Sequence, residues 1–225
     1  MVKIMNELYE ILNINPKDER LYEIAVSHSS YANEHKAKKD YERLEFLGDA
    51  VVDLAVADYL YSNHNENEGE MTKVRASYVC ENALYEYSTK LNLSKFIKVG
   101  HGEEKEGGKT KKSILADIFE ALIGAIYLDL GYATARRTVL NIIVPYIEDP
   151  NVVFFSDYKS ALQEYIQTEQ KTLFYDLVDE YGPAHEKTFV VEVRIDNIIY
   201  GKGIARSKKE AEQNAAKVAL EKLAK

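Results

Sequence analysis

Apolar residues recur at helical spacing through the first 150 residues of the chain. The three-and-four spacing predicts a helix over 41–63 with one apolar stripe. That stripe consists of Leu44, Leu47, Val51, Leu54 and Ala55. Further helices are predicted over 71–91, which follows a turn at 68–70, over 113–130 and over 134–147. Because the run 113–130 is unusually apolar, we expect it at the centre of a helical core.

The pattern changes to short β-branched segments after residue 173. Segments 189–195 and 198–204 are separated by Asp196 and Asn197, a pair typical of a hairpin turn. A last helix is predicted to begin at Ser207, because a serine followed three residues later by a glutamate has the spacing of a capping box. This part therefore has the predicted order helix, three strands, helix.

A domain boundary is predicted where Pro150 and Asn151 break the helical pattern. The two predicted domains are residues 1–150 and residues 157–225. The predicted fold class is a mainly α N-terminal domain followed by a small α+β C-terminal domain of order α-β-β-β-α. The glycine- and lysine-rich stretch 102–112 is expected to be a solvated loop.

The composition is that of a globular protein, with 46% hydrophobic and 29% charged residues in a chain of 225. The longest strongly apolar run, 121–128, is far shorter than the ~20 residues of a membrane helix. The first residues lack the uninterrupted apolar stretch of a secretory signal. A single cysteine, Cys80, cannot form an intramolecular disulfide. We therefore expect a cytoplasmic protein that does not associate with a membrane.

The net charge of −8 argues at first against nucleic acid as a partner, since phosphate binding usually needs a basic surface. The charge is unevenly distributed, however, because residues 1–156 carry −7 and residues 157–225 carry −1. The acidic excess of the first part is either solvated surface or a site for cations.

Four acidic residues share one edge of the predicted helix 41–63. At about 100° per residue, Glu42, Glu45, Asp49 and Asp53 lie away from the apolar stripe. A solvated face is one interpretation of such a pattern. Against it stand the repulsion between like charges three and four residues apart and the helix cost of a glycine within the run.

Two more carboxylates, Asp117 and Glu120, lie one turn apart in the most apolar segment of the chain. Burial of unpaired carboxylates is costly, so a bound cation is the simplest compensation. Salt bridges to Lys111 and Lys112 are the alternative. Carboxylates without Cys or His at ligand spacing suit Mg²⁺ or Mn²⁺ and disfavour zinc. A di-iron bundle site is excluded because none of the histidines follows a glutamate by three positions.

Four short segments, in a fixed order, carry a resemblance to a known family. Val26-Ser-His-Ser-Ser-Tyr31 precedes the acidic motif Glu42-Arg-Leu-Glu-Phe-Leu-Gly-Asp49, which resembles the signature of the bacterial ribonuclease III family. Glu68-Gly-Glu-Met71 resembles its acidic turn, and Ala116-Asp-Ile-Phe-Glu-Ala-Leu-Ile-Gly-Ala125 its second acidic motif. The resemblance spans nearly the whole chain and implies a helical catalytic domain.

The resemblance also implies roles for single residues. The positions that match the catalytic magnesium ligands of the family are Glu45, Asp49, Asp117 and Glu120. Glu42 and Glu68 match acidic positions with outer-shell or RNA-strand contacts, and Asp53 matches no functional position and is expected to be surface. His28 is expected to be a structural donor and not a catalytic base. Phe46 is a candidate interface residue, with ordinary core packing as the alternative.

Residues 157–225 combine the order helix, three strands, helix with the segment Gly201-Lys-Gly-Ile-Ala-Arg-Ser-Lys-Lys-Glu-Ala-Glu-Gln-Asn-Ala-Ala216. In both features they resemble a double-stranded RNA-binding domain. The resemblance implies RNA contacts from Gln163 and Gln167 on the first helix, from His185 in a loop, and from Lys208 and Lys209 at the start of the last helix. The two lysines stand where the helix dipole disfavours cations, which indicates phosphate binding more than a role in folding. The chain departs from many such domains by having Glu212 where they carry a third basic residue, so modest RNA affinity is expected.

Together these resemblances imply a Mg²⁺-dependent endoribonuclease of double-stranded RNA, with Mn²⁺ able to substitute and no organic cofactor. The implied reaction is a two-metal-ion hydrolysis by a homodimer. Its products carry 5′-phosphate and 3′-hydroxyl ends with two-nucleotide 3′ overhangs, and its implied substrates are precursor rRNA and mRNA. A non-catalytic double-stranded-RNA-binding protein is the alternative. A helical scaffold with an acidic face for a basic partner would leave the C-terminal domain unexplained.

Overall fold

A computed structural model describes residues 2–36, 39–150, 152, 154, 158–169, 171–183 and 186–223. The chain divides into two compact units, 1–155 and 156–225, each with its own hydrophobic core. Within the described ranges, no helix is both long enough and apolar enough to cross a bilayer.

The first unit is helical. Its helices are α1 (Val2–Leu12), α2 (Glu19–Ala25), α3 (Ser29–Glu34), α4 (Glu42–Asn63), α5 (Glu68–Val79), α6 (Glu81–Lys90), α7 (His101–Lys105), α8 (Lys112–Leu130) and α9 (Tyr132–Ile147). Helix α8 is buried on nearly all sides, with Ile118, Phe119, Leu122 and Ile126 almost fully covered. It packs against α2, α4, α6 and α9, so it is the central helix that the sequence predicted.

Three details of this unit differ from the expectations. The predicted helix over 71–91 is two helices, because the extended backbone of Cys80 separates α5 from α6. The two have different surroundings: α6 buries Leu84 and Tyr87, whereas α5 has no fully buried side chain. Residues 68–70 form the first turn of α5 instead of a separate turn, and the stretch 102–112 includes most of α7 and a 3₁₀ turn at Gly108–Thr110.

The buried face of α4 is also rotated from the predicted stripe. Leu44, Val51 and Ala55 are buried as expected, but Leu54 is 55% exposed. Val52, Val56 and Leu60 are buried in its place. The buried face includes Gly48, which is the residue of α4 that α8 approaches most closely.

The second unit is a three-stranded antiparallel sheet with two helices. Helix α10 (Tyr158–Thr168) precedes strands β1 (Leu173–Tyr181), β2 (Thr188–Ile195) and β3 (Ile198–Ala205), and helix α11 (Lys208–Leu223) follows. The strand order is β1-β2-β3. Leu162 and Ile166 of α10 join Val191 and Val193 of the sheet and four alanines of α11 in the core.

Local sequence accounts for the β2–β3 turn and for the start of α11. Asp196 and Asn197 have φ of 47° and 66°, the left-handed pair that a tight β2–β3 turn requires. At the start of α11, the Oγ of Ser207 accepts a hydrogen bond from the backbone N–H of Glu210 at 3.2 Å. The predicted fold class, a helical domain followed by an α-β-β-β-α domain, is confirmed.

Candidate active site

Two glycines bring α4 and α8 into backbone contact. A Cβ at Gly48 would lie 1.8 Å from the carbonyl oxygen of Glu120, and a Cβ at Gly124 would lie 2.2 Å from the carbonyl oxygen of Leu44. Any larger residue would therefore force the helices apart. The contact explains why a helix-weakening glycine stands inside the acidic motif.

This contact gathers acidic side chains from both helices. Oxygens of Glu45 on α4 and of Asp117 and Glu120 on α8 lie within 4.8 Å of one another, and all three side chains are half-buried. Asp49, one turn beyond Glu45, is exposed and lies outside this group of three, although its charge acts on Glu120. We call Glu45, Asp117 and Glu120 the acidic triad.

The electrostatics of the triad are unfavourable without a cation. Burial, followed by the charges of Asp49, Glu45 and Asp117, raises the pKa of Glu120 to about 8. Burial and neighbouring acids likewise raise the pKa of Glu45 to about 7. The pKa of Asp117 is also raised, chiefly by burial, and the pKa of Asp49 is raised by partial loss of solvent and by the charge of Asp53. Near neutral pH the apo site therefore retains protons that a cation would displace.

The donor set suits a hard divalent ion. Carboxylate oxygens are the preferred ligands of Mg²⁺ and Mn²⁺, and the triad supplies oxygens only. The alternative in which Lys111 neutralises the site does not hold, because its ammonium pairs with Glu103 at 2.6 Å and with Glu106 at 3.2 Å.

The side chain of Tyr41 supports the triad directly. The hydroxyl of Tyr41 donates a hydrogen bond to Oδ2 of Asp117 at 2.8 Å. The ring of His28 lies 5.7 Å from that of Tyr41, and Nδ1 of His28 accepts from the backbone N–H of Ser30 at the start of α3. His28 thus has a local structural contact, but in it Nδ1 is an acceptor and not the donor that we expected.

Two other acidic residues, Glu42 and Asp53, act on the pKa values of the site, and a third, Glu68, lies apart from it. Glu42 is exposed, and its charge contributes to the raised pKa of Glu45. Oδ1 of Asp53 lies 3.9 Å from Nε of Arg75. The charge of Asp53 also raises the pKa of Asp49, so Asp53 acts electrostatically on the site although we expected it to be only a surface residue. Glu68 begins α5 and lines a cavity of about 230 Å³ with Tyr61 and other residues, apart from the triad.

The outer face of α4 carries exposed apolar side chains. Phe46 is 82% exposed and Tyr61 is 80% exposed, and both fall on the same face as the exposed Leu54. Core packing, the alternative considered for Phe46, is therefore wrong. Large apolar groups grouped on a surface are typical of an interaction site.

The residues predicted to contact RNA lie on two helices of the second unit. Gln163 and Gln167 are exposed on α10, and Lys208 and Lys209 are exposed in the first turn of α11. Nζ of Lys208 lies 5.6 Å from the ring centroid of Phe189. His185, also predicted to contact RNA, lies outside the described residues.

The structure adds residues that the sequence reasoning missed. Tyr41 could have been noticed as a tyrosine directly before an acidic helix, and Gly124 as the second glycine of a close helix pair. Lys159 was not noticed either: it forms an ion pair with Glu212 and lies over the ring of Tyr175. Glu212 is therefore neutralised within the domain, which was not apparent from its sequence position.

Comparison with known families divides the chain in the same order. Residues 18–147 match the family model described as Ribonuclease-III-like, and residues 158–223 match the double-stranded RNA binding motif.

Full-length relatives and a solved structure agree with these matches. A protein named Ribonuclease 3 from Onion yellows phytoplasma is 48% identical over 225 residues, covering 100% of this chain and 93% of the relative. Ribonuclease 3 of Listeria monocytogenes serotype 4a is 45% identical, covering 96% of each chain. The nuclease domain of ribonuclease III from Campylobacter jejuni is 41% identical with a TM-score of 0.58, covering 62% of this chain and 95% of that domain. The chain belongs to the ribonuclease III family.

Proposed function

We propose that this protein is an endoribonuclease that hydrolyses phosphodiester bonds of double-stranded RNA with the help of divalent metal ions. The observation that carries the proposal is the acidic triad, in which carboxylate oxygens of Glu45, Asp117 and Glu120 meet within 4.8 Å. Mg²⁺ is the proposed ion, and Mn²⁺ is expected to substitute because it accepts the same oxygen ligands.

The residues proposed to hold the ions are Glu45, Asp49, Asp117 and Glu120. Two divalent ions, when bound, neutralise phosphate charge, activate a water molecule and stabilise the leaving oxygen. The chain itself contributes ionised carboxylates on two helices that are fixed by backbone contact at Gly48 and Gly124. Exposed Glu42 and Glu68 are proposed to contribute outer contacts to water, metal or the RNA strand.

Recognition of the substrate is proposed to fall mainly to the second unit, which matches the double-stranded RNA binding motif. The neutral amides of Gln163 and Gln167 can hydrogen-bond 2′-hydroxyls and base edges in a shallow minor groove. Lys208 and Lys209 can bind phosphates at the N-terminal end of α11, where backbone N–H groups also point outward. His185 is proposed to contact the same RNA.

A homodimer is proposed because the exposed face of α4 offers Phe46, Leu54 and Tyr61 for a self-complementary contact. The nuclease domain from Campylobacter jejuni is described as flexible in a region involved in dimer formation. Two acidic triads would then cut the two strands, leaving 5′-phosphate and 3′-hydroxyl ends with two-nucleotide 3′ overhangs.

We propose precursor rRNA and mRNA as substrates and the cytoplasm as the location.

A cleavage assay on an end-labelled RNA duplex, with and without Mg²⁺, tests the proposal. Wild-type protein should produce staggered cuts only when Mg²⁺ is present. A combined Asp117→Asn, Glu120→Gln variant should still bind the duplex and produce none. If the wild-type protein binds the duplex but never cuts it in Mg²⁺ or Mn²⁺, the chain acts as a non-catalytic RNA-binding protein and the proposal is wrong.

A further inference from the structure

We infer that Tyr41 is a positioning residue of the metal site, whose hydroxyl holds the Asp117 carboxylate in the orientation that binds the ion. The inference rests on the proposed function, because it assigns a role towards the proposed metal. The motivating contact is the 2.8 Å hydrogen bond from the Tyr41 hydroxyl to Oδ2 of Asp117. With Oδ2 engaged, the carboxylate is restrained about its side-chain torsions and presents its remaining lone pairs in one direction.

Tyr41 is itself rigidly held. Its side chain is only 4% exposed. Its backbone N–H donates to the carbonyl oxygen of Ser27 at 3.0 Å, and its own carbonyl oxygen accepts from the N–H groups of Leu44 and Glu45. The hydroxyl is therefore a fixed point from which Asp117 can be oriented.

The sequence position of Tyr41 favours a role beyond helix formation. Tyr41 is the N-cap residue of α4, where Ser, Thr, Asp or Asn would accept a hydrogen bond from the first turn. Tyrosine makes no such cap here. Its hydroxyl instead reaches a helix that lies 76 positions further along the chain. Oδ1 of Asp40 accepts a hydrogen bond from the backbone N–H of Glu42 at 3.2 Å, so the preceding residue bonds the first turn of α4 while the Tyr41 side chain contacts a triad carboxylate.

A second tyrosine in the same unit donates a similar hydrogen bond to a carboxylate, and there the bond stabilises the fold. The hydroxyl of fully buried Tyr22 donates to Oδ2 of Asp129 at 3.0 Å. Asp129 also accepts from the backbone N–H groups of Lys17 and Asp18, so its hydrogen bonds tie chain segments together. Among the described residues, Asp117 has Tyr41 as its hydrogen-bond donor, and its neighbours in the triad are carboxylates.

The test is the affinity of the full-length protein for Mn²⁺, measured without RNA from the electron paramagnetic resonance signal of free Mn²⁺. Tyr41→Phe keeps the ring and removes only the hydroxyl. It should weaken Mn²⁺ binding roughly 10- to 100-fold, the usual effect of losing an outer-shell partner. In cleavage assays at a fixed Mn²⁺ concentration kcat should fall, whereas the KM for duplex RNA should stay near the wild-type value.

Tyr22→Phe is the matched control, since it also removes a buried tyrosine hydroxyl from a carboxylate. It should lower thermal stability without changing Mn²⁺ affinity. On an Asp117→Asn background, Tyr41→Phe should cause no further loss of Mn²⁺ affinity, because the carboxylate that it orients is gone.

The outcomes separate this inference from the proposed function. If the wild-type protein binds Mn²⁺ and Tyr41→Phe binds it equally well, the inference alone is overturned. The same holds if Tyr22→Phe weakens Mn²⁺ binding as much as Tyr41→Phe does. If the wild-type protein neither binds Mn²⁺ nor cleaves RNA, the proposed function fails and the inference fails with it.

Discussion

Gly48 faces the backbone of Glu120 so closely that a Cβ would lie 1.8 Å from the Glu120 carbonyl oxygen. The same residue that carries one triad carboxylate thus also forms the tightest point of the helix contact. Packing of α4 on α8 and assembly of the acidic site are therefore one structural event.

The first prediction concerns this contact. Gly48→Ala should destabilise the protein by about 1–3 kcal/mol or more, because the methyl group overlaps backbone that cannot move without separating the helices. The melting temperature should fall, and Mg²⁺-dependent cleavage should be slower. Gly102→Ala is the control, since nothing lies within 4 Å of a Cβ at that position. A Gly48→Ala protein with wild-type stability would contradict the close packing.

The second prediction is a pH dependence of stability. The ordinary pKa of a glutamate, 4.5, is raised by burial and neighbouring acids to about 7 at Glu45 and about 8 at Glu120. Between pH 4.5 and about pH 8 the folded protein binds more protons than the unfolded chain. In EDTA the stability of the protein should therefore fall as the pH rises over this range. Added Mg²⁺ should stabilise the protein more at the alkaline end, because the ion then displaces fewer protons.

Thermal melts across this range, with EDTA or with Mg²⁺, provide the measurement. Glu120→Gln should flatten the pH dependence in EDTA and reduce the stabilisation by Mg²⁺. Glu221→Gln, at an exposed position on α11, should change neither. Stability in EDTA that increases towards pH 8 would mean that the triad is not strained in the apo protein.

The third prediction separates metal occupancy from catalysis. Ca²⁺ should raise the melting temperature and permit duplex binding, yet support little cleavage. Its coordination is looser and its ligand distances are longer than those of Mg²⁺, so phosphate and water should be poorly aligned. Melts and cleavage assays run in parallel with each ion would show this. Efficient cleavage in Ca²⁺ alone would argue against a site with strict geometric requirements.

The fourth prediction concerns the exposed face of α4. Tyr61→Asp should shift the protein from dimer to monomer in sedimentation equilibrium, since a charge would be buried in an apolar contact. Ile198→Asp changes an equally conspicuous apolar residue, 61% exposed on the hairpin of the second unit, and should leave the mass unchanged. A wild-type protein that is monomeric at all concentrations tested would rule out the proposed dimer.

The fifth prediction concerns the lysines at the start of α11. Changing Lys208 and Lys209 to alanine should weaken duplex binding to a similar extent on RNAs of different sequence. It should also reduce the slope of log affinity against log salt by about 0.7–0.9 for each phosphate that the variant no longer neutralises. Lys217→Ala alters an exposed lysine further along the same helix and is the control. An unchanged salt dependence in the double variant would assign phosphate binding to other residues.

The fold was largely predictable because its signals are local. The apolar character of α8 and the Asp196-Asn197 turn are each encoded within a few residues. The break at Cys80 was not predictable in this way, because it depends on the different packing partners of α5 and α6. The rotation of the buried face of α4 was not predictable either. Helical spacing is the same whether Leu54 is buried or, as in the structure, exposed.

The acidic site was predictable in its residue types but not in its geometry. Spacing along α4 and α8 indicated two groups of carboxylates, and the family resemblance assigned them to one site. The contact of Tyr41 with Asp117 depends on how helices distant in sequence are packed, so no local pattern encodes it. The pairing of Lys159 with Glu212 is hidden for the same reason. The assigned roles of the individual site residues stay predictions.

The position of the acidic site on the most buried helix has a consequence for folding kinetics. Tyr41 and Asp117 are 76 positions apart, so their contact closes a long loop, and the entropy of closure is lost before other contacts can offset it. A chain that has formed its helices but has not joined α4 to α8 has no acidic triad. During refolding, metal affinity should therefore be acquired in the same late step as the core. A partly folded chain would be unable to cut RNA.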